Sequence, residues 1–74
     1  MKHPNIGAQR LDAWIRAGGR KVAWIAQQIG STPPTVSAWR TGRHAPLSQE
    51  ARMALERLTE GAVRASDWPR EVVR

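Results

Sequence analysis

The residues best suited to meeting a partner lie between Thr32 and Arg43, in the stretch TPPTVSAWRTGR. On a helix turning 100° per residue, Val36 and Trp39 point one way, and Pro34, Ser37, Ala38 and Thr41 point the other. The second face is small and uncharged, and it is bordered by Arg40 and Arg43. A helix that only meets water usually carries Glu, Lys or Gln there. Short side chains let the backbone come close to a surface, and flanking arginines suit a surface that is negative at its edges. The DNA major groove has that form, with phosphates on the rims and base edges on the floor.

A second group is Arg20 and Lys21, at the start of the preceding helical stretch. Positive charge at a helix N-terminus opposes the helix dipole. A phosphate bound there would relieve the conflict by accepting from the free N–H groups and neutralising the cations. Charge along the chain agrees with this placement. Residues 1–44 hold seven Lys and Arg against one acid, Asp12, whereas residues 45–74 hold five against five. The whole net charge of +6 therefore belongs to the half containing these residues, as expected when one face meets a polyanion.

Other chemistries find little support. With no cysteine, disulfides and cysteine-based zinc sites are excluded. His3 and His44 are far apart and lack neighbouring carboxylates, so no metal site is expected. There is no Ser/His/Asp set, carboxylate pair or phosphate-cradling glycine loop, and the expectation is a chain that is not an enzyme and uses no cofactor or small-molecule substrate. RNA recognition favours exposed stacking aromatics, which are largely missing. The longest apolar run, Val22–Ala26, is far short of the roughly 20 residues needed to span a membrane. MKHPNIG contains no apolar stretch of the secretory kind. A cytoplasmic location with no membrane partner is expected.

The elements that must position these residues are short helices. At 74 residues the chain makes one small domain, which buries only about 60% of its unfolded surface and needs a well-patterned core. The expected division is a tail at 1–4, a single domain at 5–69 and a second tail at 70–74. The first helix runs from Asn5 or Ile6 to Ala17, with Asn5 as N-cap, Ala8, Leu11, Trp14 and Ile15 on its inner face, and Gly18-Gly19 as its stop. The second runs from Lys21 to Gln28 or Ile29, with Val22, Ile25, Ala26 and Ile29 as a full i, i+3, i+4, i+7 stripe. After Gly30, Thr32 caps a third helix, from Pro33 or Pro34 to Thr41. Because neither proline has an N–H, the Thr32 hydroxyl is expected to bond to the N–H of Thr35. Gly42 ends this helix.

A fourth helix starts at Ser48 and reaches Thr59 or Glu60, with Gly61 as its stop and Ala51, Ala54, Leu55 and Leu58 inside. Glu56 and Glu60 align with Arg52 and Arg57 at helical spacing. One more short helix is expected around Arg64–Trp68, with Ala62 and Val63 packing on the way and Pro69 limiting it. Glu71–Arg74 has the composition for a short strand. Trp24 and Met53 fall outside the inner stripes. Either the tail, including Trp68, covers them, or Trp24, Met53 and Trp68 form a dimer or partner surface, where Trp and Met are enriched.

The string IAQQIGSTPPTVSAWRTGR resembles the helix-turn-helix of the Cro/lambda-repressor class of phage and bacterial regulators. Ile25, Ala26, Ile29, Gly30, Val36, Ser37, Trp39 and Gly42 stand at its pattern positions. The preceding helix ending AGG and the following ERLTEGAVRASDW are similar to the subgroup of small phage Cro proteins and Cro-like antitoxins. The likeness spans roughly residues 8 to 69. It implies an all-α, lambda-repressor-like bundle of four to five short helices with its motif at about 22–42. It also implies a dimeric repressor of double-stranded DNA that reads a palindromic operator, or an antitoxin whose main partner is a toxin protein. Matched position by position, the base-facing residues are Pro33, Pro34, Thr35, Ser37 and Ala38. The phosphate contacts are Arg20, Lys21, Arg40, Thr41, Arg43 and His44. Two departures stand out. Val22 replaces a glutamine that often binds the DNA backbone, and Pro33-Pro34 replaces side chains that usually hydrogen-bond to bases. Readout through thymine methyls and DNA shape is therefore expected.

Overall fold

A computed structural model describes residues 5–69, and the expectations for residues 1–4 and 70–74, including Lys2 and the short strand, lie outside the described residues. The described chain forms four α-helices, α1 (Ile6–Gly18), α2 (Val22–Ile29), α3 (Pro33–Thr41) and α4 (Gln49–Leu58), followed by a 3₁₀ turn at Ala65–Asp67. There is no strand among the described residues, and none of its helices is long and apolar enough to cross a membrane.

The helix ends follow from local chemistry. Asn5 accepts from the N–H of Ala8 at 3.0 Å, and Ser48 accepts from the N–H of Ala51 at 3.0 Å. Each satisfies one of the donors that a helix start leaves free. Gly30 and Gly42 bound α3 on either side, with φ of 72° and 84°. Residues with a Cβ rarely adopt that left-handed conformation, so the chain can reverse tightly at both ends of α3.

Packing closes the elements into a ring. α1 packs on α3, α3 on α2, α2 on α4, α4 on the 3₁₀ turn, and the turn back on α1. The core lies inside this ring and consists of Ala8, Leu11, Ile15, Ile25, Ala26, Val36, Trp39, Leu55, Val63 and Trp68. The expected stripe of α2 is buried at Ile25 and Ala26 and half-buried at Val22 and Ile29. Trp39 is core, whereas Trp14 is half-buried with the Arg20 guanidinium 4.0 Å above its ring.

The C-terminal half departs from expectation in four places. α4 ends at Leu58, before Thr59 and Gly61. The buried Thr59 hydroxyl donates back to the carbonyl of Leu55 at 2.8 Å and accepts from the N–H of Val63 at 3.0 Å, which turns the chain early. The expected Arg–Glu alignment along α4 is replaced by tertiary bonds. Arg52 donates to the carbonyls of Pro46 (2.7 Å) and Pro69 (3.2 Å), and Glu56 accepts from the N–H of Ala65 (2.9 Å). Ala62 is exposed while Val63 is fully buried. The last helical segment is shorter than expected, a single 3₁₀ turn.

Trp68 is the largest correction. It is only 3% exposed and belongs to the core, so it does not serve as a dimer or partner surface. The cause is Gly7. A Cβ at that position would stand 2.4 Å from Trp68 Cδ2 and 2.5 Å from Cε3, so the indole fills the space that glycine leaves open. Arg10 secures the same junction by donating to Asp67 at 3.2 Å. Trp24 and Met53 are not covered by this packing and stay 43% and 44% exposed.

Candidate nucleic-acid interface

α3 is held from behind. Val36 and Trp39 are buried, and Arg40 reaches back to α1, where its Nε and Nη2 donate to Asp12 Oδ1 at 2.9 and 2.6 Å. Asp12 Oδ2 meets Arg16 at 3.0 Å. The hydrogen bonds from Arg40 are the main reason the Asp12 carboxyl sits below its ordinary pKa, with a further contribution from Arg16 and some opposition from partial burial. Arg40 is therefore an anchor for α3. It does not project as the free phosphate ligand that its place at the edge of the helix suggested.

The front of α3 is open. Pro33, Pro34, Thr35, Ser37 and Thr41 are exposed, and Ala38 is half-buried. None of these six residues is charged. A concavity of about 960 Å³ flanks this face, bounded by Pro34, Thr35 and Ala38 on one side, by Arg43, His44 and Leu47 along the following loop, and by Glu50, Ala54 and Arg57 of α4. Leu47, at 72% exposed, is an apolar member of this border with no periodic pattern to mark it in the sequence.

The N-terminus of α3 differs from expectation. Thr32 makes no side-chain cap bond to the backbone. Its Oγ1 lies 2.8 Å from Thr35 Oγ1, so one of the two hydroxyls donates to the other. Proline at N1 and N2 leaves the Thr35 N–H as the nearest capping donor, and Thr32 bonds to the hydroxyl of that residue instead of to its N–H. At the other end Thr41 Oγ1 donates to the carbonyl of Ala38 at 3.2 Å. The backbone N–H groups of Arg43 and His44 converge on the same carbonyl at 3.0 and 3.3 Å, which fixes the loop to the helix end.

The cations divide into used and unused. Arg10 pairs with Asp67, and Arg16 and Arg40 share Asp12. Arg20 folds over Trp14 and donates to its carbonyl at 3.4 Å, so part of its donor capacity is turned inward. Lys21, Arg43, Arg57 and Arg64 are exposed and have no carboxylate partner among the described residues, and the first two stand nearest the ends of α3 and α2. Lys21 stands at the N-cap of α2, where no side chain caps the helix and no acid occupies the first turn. The other candidate phosphate ligand, His44, is exposed in the loop after α3. The arrangement thus offers an uncharged helix face, with an unpaired cation just beyond its C-terminus and another at the start of the neighbouring helix.

Two contributors escaped the sequence reading. Asp12 was visible as the lone acid of residues 1–44, but its partner lies 28 positions away and no spacing rule connects them. Thr32 and Thr35 stand three positions apart, and the cap preference of threonine pointed to the backbone as its partner. No family model, characterised protein or solved structure matches this chain. Among the described residues no group of His, Cys, Asp or Glu is placed to hold a metal ion.

Proposed function

We propose that this chain is a sequence-specific double-stranded DNA-binding regulator, acting as a Cro-like repressor through a helix-turn-helix formed by α2 and α3. The observation that carries the reading is the exposed, uncharged face of α3, anchored from behind by Asp12–Arg40 and accompanied by Lys21 and Arg43, which have no carboxylate partner among the described residues. A helix with its side chains is roughly 10–12 Å across, which matches a major groove about 12 Å wide. Pro33, Pro34, Thr35, Ser37 and Ala38 face the base edges in this reading. Lys21, Arg43, Thr41, His44 and the remaining donors of Arg20 meet phosphates. The uncapped start of α2 takes one phosphate through its free N–H groups.

Helix length argues for a dimer. Nine residues give α3 an axis of roughly 13–14 Å, which passes only about four base pairs at 3.4 Å each. One copy reads too little sequence to be selective, so two copies on a palindrome with half-sites one helical turn apart are proposed. Selection from random duplex DNA tests this. Enrichment of such a palindrome is expected, and failure to enrich any duplex contradicts the reading.

A second reading rests on Trp24 and Met53, each more than two-fifths exposed. Large apolar side chains left in water suit a protein interface. They form either the contact between two copies or the surface through which an antitoxin masks its toxin. Sedimentation of Trp24→Ala and Met53→Ala separates the two. Loss of the dimer assigns the surface to self-association, and an intact dimer removes it from that contact.

A further inference from the structure

The polar groups on the front of α3 are few, and two of its three hydroxyls are engaged inside the protein. Thr35 shares its hydroxyl with Thr32, and Thr41 gives its proton to the Ala38 carbonyl. Pro33 and Pro34 have no N–H, and Ala38 has only a methyl group. Ser37 keeps the one hydroxyl of this face that makes no bond within the described residues. What the face offers to a base edge is therefore mostly hydrocarbon: two pyrrolidine rings and the methyls of Thr35, Ala38 and Thr41. It lacks the paired donors by which Arg or Lys reads guanine, the amide by which Asn or Gln reads adenine, and the carboxylate that accepts from cytosine.

The major groove presents one apolar group, the methyl on C5 of thymine. 5-Methylcytosine carries the same methyl on the same ring atom and differs by an N4 amino group in place of O4. A reader that depends on hydrogen bonds separates these two bases, whereas one that depends on the methyl does not. We infer that the group recognised by α3 is the C5-methyl of a pyrimidine, so that 5-methylcytosine replaces thymine at the contacted positions. This rests on the major-groove reading above and extends it. Methylation of cytosine at C5 then converts a weak site into a strong one, and the occupancy of the regulator follows the methylation state of its DNA.

Four pyrimidines separate the two contributions. Thymine has the methyl and O4, uracil has O4 alone, 5-methylcytosine has the methyl alone, and cytosine has neither. Starting from a selected duplex, each thymine in a half-site is replaced in turn, with guanine placed opposite the cytosines, and affinity is read by fluorescence anisotropy at fixed salt. At contacted positions uracil and cytosine are expected to bind about fourfold more weakly than thymine, the effect of one buried methyl, with 5-methylcytosine within about twofold of thymine. Equal binding of uracil and thymine at every position, or 5-methylcytosine binding as weakly as cytosine, overturns the inference.

A protein variant supplies the second arm. Thr35→Ser removes the methyl but keeps the hydroxyl that pairs with Thr32, and it is expected to bring the thymine-to-uracil ratio toward one at a single position. If Ser37→Ala erases the preference and Thr35→Ser leaves it intact, a hydroxyl reads the base and the inference fails. Failure to select any duplex overturns the DNA-binding reading and this inference together. A selected duplex indifferent to C5 methylation overturns this inference alone.

Discussion

Gly7→Ala probes how the chain closes its core. The added methyl would stand 2.4 Å from Trp68 Cδ2 and 2.9 Å from Cε2, within a ring that is 3% exposed. Overpacking of this kind costs about 1–3 kcal/mol. Replacing glycine in a helix returns at most about 1 kcal/mol, and less in the first turn, where Gly7 lies. The net expectation is a loss of about 1–2 kcal/mol. Its ceiling is the roughly 3–5 kcal/mol for losing the Trp68 packing altogether. For a domain of this size each kcal/mol moves Tm by about 4–8 °C, so a fall of about 5–15 °C is expected in circular-dichroism melts. The sign should reverse once the ring is gone: in a Trp68→Ala background, Gly7→Ala should raise Tm. A Gly7→Ala protein that melts at or above the parent temperature would refute the contact between α1 and Trp68.

Three further outcomes follow from named contacts. Ser48→Ala removes a cap bond and should cost about 1 kcal/mol, whereas Thr32→Ala, which removes no backbone cap, should stay within about 0.5 kcal/mol in the same melts. The Asp12 carboxyl lies below its ordinary value in the folded protein, so its contribution to stability is present above the unfolded carboxylate range and disappears as pH falls through the folded value. Melts from pH 7 down to 2 should show Asp12→Asn losing part of that acid-side decline, and identical pH profiles would count against the Arg40 anchor. For Arg43→Ala, DNA affinity should drop to a similar extent on every sequence, and the slope of log K against log salt should shrink by about one. A changed sequence preference would instead make Arg43 a reader of bases.

Local signals carried much of the fold. Asn5 and Ser48 cap the helices they were expected to cap, and Gly30 and Gly42 bound α3 as anticipated. These features depend on neighbours within a few residues, which the sequence displays directly. Some errors were local, as where Thr32 bonds to the Thr35 hydroxyl, but the larger ones came where a side chain chose a distant partner. Arg40 reaches Asp12, Arg52 reaches Pro46 and Pro69, and Trp68 reaches Gly7. A helical wheel gives the direction of each of these residues around its own axis and says nothing about which element lies opposite. The same division holds at the candidate interface. The uncharged face of α3 was legible from residue types at 100° spacing. The sorting of its flanking cations into anchored Arg40, folded-back Arg20, and Lys21 and Arg43, without a carboxylate partner among the described residues, required the tertiary arrangement.

The central claim is that α3 enters the major groove with its exposed face. Ser37 is exposed at the middle of that face and makes no bond within the described residues, so Ser37→Glu places a negative charge against the DNA without disturbing the core. The decisive measurement is duplex binding by this variant, read by fluorescence anisotropy on the selected palindrome alongside its melting temperature. An unchanged Tm with binding lost is the expected result, and binding retained at the parental affinity would contradict the account.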